Sequence, residues 1–268
     1  MRYGRQLVEK QRWVQRAVAG ARAPLEAVRR IRPSPRQLRY AHRTVWTFSE
    51  EGGEVSFGPA GALRDQDAEL AHDDPEPPSG CVLPQRAVTR TLEAVWSAFQ
   101  ELRGANPAAY SVYEEKRGLG TFKAAEVLCA RVPRHELGRK PGGRRTELLL
   151  NLVLAHDTDV ESVLEPLATA LRAQAPKCLV GVVANVSRAK LAVMGGRREV
   201  LLHGRRCVRD GFALRVGGAP RHFALEVGAG SRLLAHAALL PEVARAAVEM
   251  SGAGGTDVVW HSSAAEES

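Results

Sequence analysis

From Leu7 onward the apolar residues Leu7, Val14, Val18, Ala21, Leu25 and Val28 recur at spacings of seven, four and three, with arginines on the intervening positions. That period draws one apolar stripe along a helix, and Pro24 bends or restarts it because proline has no N–H for the turn before it. After Pro33-Ser34-Pro35 the pattern changes. Residues 37–48 collect Tyr40, Thr44, Val45, Trp46, Thr47 and Phe48, and Glu51-Gly52-Gly53 turns the chain into 54–57, which predicts a hairpin. Residues 65–80 are acidic and proline-rich and predict a loop. Beyond Pro84, the positions Val88, Leu92, Val95, Phe99 and Leu102 step by four, three, four and three, a second helix that ends before Pro107.

Apolar runs at 125–132, 147–155 and 179–186 predict buried strands, the first two separated by a basic, glycine-rich loop at 139–145. Val160, Val163, Leu164, Leu167 and Leu171 mark a helix before the third run. Segments 190–194 and 199–203 flank Gly195-Gly196 as a hairpin, and 207–216 and 222–227 continue the strands. A last helix spans 231–250 with an interruption at Pro241, and Gly254-Gly255 leads into a buried strand at 256–260. The fold class expected is α+β, a mostly antiparallel sheet with packed helices. The organisation expected is a basic amphipathic helix over 1–32, a central α+β domain over 33–218 and a further segment over 219–268.

A chain of 268 residues with 44% hydrophobic content can bury a substantial core. Its longest apolar runs fall far short of the ~20 residues that cross a bilayer, so no membrane partner is expected. Cys81, Cys129, Cys178 and Cys207 form no CxxC pair, which argues against a disulfide scaffold or a self-contained metal site. The net charge of +8 is unevenly spread: residues 1–48 carry +10, 49–80 carry −8, and the remainder +6. Such a balance suits a polyanionic partner where the charge gathers on one face, and a solvated helix beside an acidic loop where it does not. An arginine-rich amphipathic start also has the composition of an organelle transit peptide. Glu9, Glu26 and the lack of hydroxyl residues count against that here. No secretory signal is read, and the setting expected is intracellular, cytoplasm or organelle.

Candidate chemistry is sparse. Gly228-Ala229-Gly230 sits between a strand and a helix, the context of a phosphate-cradling turn, without the third glycine or the Lys-Ser/Thr pair such turns carry. None of the eight histidines has another four residues away, and no Gly-x-Ser-x-Gly elbow is present. From residue chemistry alone no enzyme is visible, and no catalytic or metal-ligating residue is assigned.

Read in order, the segments resemble the RNA uracil-C5 methyltransferase family, which uses S-adenosylmethionine. Tyr3-Gly4-Arg5-Gln6-Leu7-Val8-Glu9-Lys10 is similar to that family's "Y-x-x-Q-L-x-x-K" helix, and Tyr40-Ala41-His42-Arg43 stands where it has "Y-R-N-K". Gly80-Cys81-Val82-Leu83-Pro84 is similar to its Cys-x-Leu segment, and Tyr113-Glu114-Glu115 with Gly120-Thr121-Phe122-Lys123 to "Y-D-E … G-L-L-R". Leu148 to Val153 and Val182-Val183-Ala184-Asn185 resemble two of its strands. Leu202-His203-Gly204-Arg205 and Ala219-Pro220-Arg221-His222-Phe223 follow in the family's order, the latter resembling "S-P-x-S-F-F-Q-V-N".

The resemblance implies a central RNA-contacting domain over 33–218 and, over 219–268, the first helix and strand of an incomplete methyltransferase domain. The departures carry equal weight. The family's cofactor-side Gln falls within Phe223-Ala224-Leu225-Glu226-Val227, which has none, and its glycine loop, catalytic Cys and general base lie beyond Val258-Val259-Trp260. Cys81 matches only one ligand of the iron–sulfur cluster that some members hold. The reading is therefore a homologue that binds structured RNA (rRNA or tRNA) and is catalytically incomplete, with no S-adenosylmethionine site in this chain. Two alternatives stay open: an active methyltransferase completed by further sequence or a partner chain, and a non-catalytic assembly protein with a basic surface. The RNA-facing residues expected are Arg39, Arg43, Lys123, Arg188 and Phe223. Arg43 and Lys123 come from the family's basic positions, Phe223 from its last motif, and Arg39 and Arg188 from their flanking strands. The strand at 256–260, if unpaired, would dock on the helix from Ser231 or drive self-association.

Overall fold

A computed structural model describes residues 3–21, 24, 26, 28–34, 38–59, 83–132, 145–156, 158–188, 198–216, 219–231 and 239–251. In chain order the elements are α1 (Tyr3–Gly20), β1 (Arg43–Glu51), β2 (Glu54–Pro59), α2 (Arg86–Ala105), β3 (Phe122–Arg131) and β4 (Thr146–Leu154). A π-helical turn (Val160–Leu164) then runs into α3 (Glu165–Gln174), followed by β5 (Leu179–Val186), β6 (Arg198–Gly204), β7 (Cys207–Val216), β8 (Ala219–Gly228) and α4 (Leu240–Ser251). Six strands form one sheet in the order β2-β1-β3-β4-β5-β6, and β7-β8 pair separately. Among the described strands only β4 and β5 pair in parallel, joined by the α3 crossover. The class is α+β with a mixed sheet.

The continuous apolar runs of β3 to β5 arise because these strands are covered on both faces. One face turns Trp46, Val127, Leu150, Leu152 and Val182 into a cluster with Val88, Leu92 and Phe99 of α2 and Leu167 and Leu171 of α3. Phe48 ties the edge hairpin into that cluster, its ring centroid 4.5 Å from Phe99 and 4.6 Å from Phe57. The opposite face presents Leu128, Ala130, Leu149 and Val183, which meet Val208, Val227 and Ala229 from the β7-β8 hairpin.

The hairpin reaches that second face by a crossing of backbone over backbone. β6 ends at Gly204 with φ 69°, the left-handed region that glycine enters without penalty. A Cβ on Gly204 would stand 2.1 Å from the Val180 carbonyl oxygen, and one on Gly181 would stand 1.9 Å from that of Arg205. Neither position has room for a side chain.

Several expected boundaries move. α1 stops at Gly20, and residues 28–34 instead run beside it without helical structure. Gln11 Nε2 donates to the Arg29 carbonyl at 3.2 Å, and the Ser34 N–H donates to the Tyr3 hydroxyl at 2.6 Å. Strand β1 starts at Arg43 rather than 37, since Arg39 sits at φ 55°, which no extended strand tolerates. β3 begins at Phe122, three residues before the apolar run. Pro241 occupies the first turn of α4, where its missing N–H costs nothing; residues 232–238 of the expected helix lie outside the described residues. β8 pairs with β7 from Val216↔Ala219 onward, so the hairpin spans the expected 218/219 division. The segments expected at 65–80, 190–194 and 256–260, and all but residue 145 of the loop expected at 139–145, lie outside the described residues.

Candidate functional site

β4 and β5 end side by side at Leu154 and Val186, and the carboxyl end of a parallel pair is where α/β sheets leave room for ligands. Backbone bonds knit this end together: the Ala155 N–H donates to Thr121 O at 2.9 Å and the Ser187 N–H to Leu154 O at 2.8 Å. Lys123, in the irregular register step between Phe122 and Ala124, turns its ammonium inward. Its Nζ donates to the Ser187 carbonyl at 2.7 Å and lies 4.3 Å from the centre of the Tyr113 ring, a cation–π contact. Burial lowers the Lys123 pKa below its ordinary value, and the Glu115 charge pulls the other way. Beside it Thr121 Oγ1 is 3.3 Å from His156 Nε2. Arg188 follows Ser187 directly and is exposed. Lys123 and Arg188 thus share one end of the sheet. Lys123 does not lie on the surface as expected: it is 2% exposed.

Arg43 is likewise spent inside. Its register partner is Leu128, on the face the hairpin covers, and its Nε donates to Glu126, which is wholly buried. Asn151 Nδ2 donates to the other Glu126 carboxylate oxygen at 3.0 Å, closing a buried Arg–Glu–Asn row across three strands. Arg39 Nη1 donates to the Pro84 carbonyl at 3.2 Å. Since β3 runs from Lys123 to the Arg43 partner Leu128 in five residues, the backbone positions of the two cations are about 17 Å apart along the strand at ~3.3 Å per residue.

Phe223 belongs to a third place. Its ring stacks on Phe212 across the β7-β8 pair, centroids 5.2 Å apart and 16° from coplanar, and it remains 40% exposed. Arg221 and His222 beside it are exposed, whereas Leu225 and Val227 further along β8 pack against the sheet. One half of the hairpin is therefore docked and the other presents a cation, an imidazole and an aromatic pair. Phe212 and Arg221 were not singled out from the sequence. The Phe212↔Phe223 pairing of β7 with β8 brings them together.

Among the described residues no group of three or more His, Cys, Asp or Glu could hold a metal ion, and no helix is long and apolar enough to cross a membrane. No family model matches the chain, and no curated protein matches it.

Proposed function

We propose that this chain is an RNA-binding module of the uracil-C5 methyltransferase type, gripping unpaired RNA with the exposed half of the β7-β8 hairpin. The observation that carries this reading is the stacked Phe212–Phe223 pair flanked by Arg221, in the very segment that resembles the family's "S-P-x-S-F-F-Q-V-N". Sequence-specific RNA recognition works chiefly on unstacked bases laid against aromatic rings, with cations holding the phosphates. A ring already stacked on its inner face is held in orientation and offers its outer face at little further entropic cost. Arg188, exposed at the end of β5, adds a second cation for the RNA backbone. The cofactor does not belong to this reading. Where the family carries its Gln, Ala224 and Leu225 have no side-chain hydrogen-bonding atom, and Leu225 packs into the second apolar cluster.

Fluorescence anisotropy with an RNA stem bearing unpaired loop uridines tests it. Phe223→Ala should weaken binding by about 5- to 150-fold, the loss of one stacked base, with little change in unfolding temperature. Equal affinity for the variant, or no RNA binding by the intact chain at low salt, would refute the proposal.

A further inference from the structure

α1 makes no contribution to either apolar core: not one of its residues is buried. It is nevertheless fixed in orientation. Tyr3 and Gln11 bond to residues 29–34, so the face holding them, with Leu7 and Val18, turns toward that segment. At ~100° per residue the opposite face carries Arg5, Glu9, Trp13 and Arg16, with Arg12 at its edge, beside the hollow that α1 forms with residues 29–33; Arg16 Nε donates to the Arg12 carbonyl at 3.4 Å and leaves its outer nitrogens toward solvent. Arg5 is engaged by Glu9 at 3.2 Å, while the indole of Trp13 is 66% exposed. An exposed tryptophan with cations around it, on a helix whose apolar stripe points elsewhere, has no structural use within the described residues.

We infer that this outward face is a second RNA-contacting surface, Trp13 receiving an unpaired base while Arg12 and Arg16 hold the neighbouring phosphates. The inference rests on the RNA-binding reading above and adds to it a site on a different element. Charge chooses the occupant. Arg12 and Arg16, one turn apart, put cations beside an exposed ring, the combination by which single strands are held: cations along the backbone and a base stacked on an aromatic. A membrane surface would need a contiguous apolar stripe to bury; α1 also exposes Val8 and Val14, but at ~100° per residue both lie about 100° or more round the helix from Trp13 and make no stripe with it. The side with Leu7 and Val18 is turned toward residues 28–34.

The test uses the full chain and an RNA stem with a single-stranded extension, titrated across a series of salt concentrations. Arg12→Gln with Arg16→Gln should reduce the slope of log K against log salt by about 1.4 to 1.8, the release of two phosphate contacts. Trp13→Ala should weaken binding by about 5- to 150-fold and Trp13→Phe should restore most of it. Because α1 buries no residue, none of these changes threatens the fold. If the α1 variants match the wild type while Phe223→Ala is impaired, this inference fails and the hairpin reading stands. If the wild-type chain binds no RNA, both fail together. If Trp13→Ala loses binding only to vesicles of about 30% anionic lipid and not to RNA, the face is a membrane-contact surface and the inference is wrong.

Discussion

Arg43 and Lys123 stand on neighbouring strands and both point into the protein, yet the surroundings use their charges differently. Arg43 meets a full carboxylate, Glu126, which is wholly buried and therefore depends on that partner. Removing one member of a buried pair strands the other's charge away from water. Arg43→Met should therefore cost about 3–5 kcal/mol of unfolding free energy, while Arg43→Met with Glu126→Leu should regain most of it. Urea titration of the two variants measures this cycle, and a single-variant cost below ~1 kcal/mol would show that Glu126 is not held by Arg43. Lys123 instead rests on a carbonyl and a ring face. A thiol on the same strand gives a pH signature. Burial pushes Cys129 from 9.0 up to about 12. As pH rises through 9.0 the unfolded chain releases that proton while the native state keeps it, so stability falls toward pH 12, by at most ~1.4 kcal/mol per pH unit. Comparing denaturation of the wild type and Cys129→Ala from pH 8.5 upward should show the variant's decline to be shallower; parallel curves would contradict the buried thiol.

At the scale of elements, the pattern of apolar residues located most helices and strands and the β1-β2 hairpin, but not the order of the central sheet. The runs at 147–155 and 179–186 became β4 and β5 with small changes of boundary. Where a polar residue is buried by partners distant in sequence, the pattern misled. Lys123 cut the apolar run short, so that the strand was expected from 125 rather than 122, because Tyr113 and Ser187 supply its environment from elsewhere in the chain. The RNA-facing assignments of Arg43 and Lys123 suffered for the same reason, since a cation in a sequence does not disclose the carboxylate or carbonyl that will absorb it. Pairing across β7-β8 likewise made Phe212 a neighbour of Phe223, which no local period announces. The crossing after β6 depends on two glycines and is directly testable. A methyl at Gly181 would stand 1.9 Å from a backbone oxygen and 2.8 Å from Leu149 Cδ1, so no rotamer change relieves it. Gly181→Ala should destabilise by about 1–3 kcal/mol or more. Gly58→Ala, with nothing within 4 Å, should stay within about 1 kcal/mol of wild type. Comparable losses in both variants would remove the crossing as the cause.

For the whole molecule, the sheet is assembled almost entirely from neighbours in sequence. Only β1 and β2 exchange places in the strand order. The longest-range contact joins the two extremes: Arg29 bonds to Glu249 at 3.1 Å and Arg32 to Glu242 at 2.7 Å, across 220 and 210 residues. Both pairs are largely exposed, and exposed ion pairs contribute about 0–1 kcal/mol each. With no buried residue in α1 to add to them, amides of α1 should exchange hydrogen orders of magnitude faster than those of β3 to β5. Equal protection in a native-state exchange experiment would contradict a weakly held helix.

That long-range contact also sets a clock. A ribosome adding ~5–20 residues per second takes about 10 to 40 s to make the 210 to 220 residues that separate these partners. Throughout that interval β1 to β5 can pair as they emerge, while the segment behind α1 has no acidic helix to bind. The first helix synthesised is the last to be fastened.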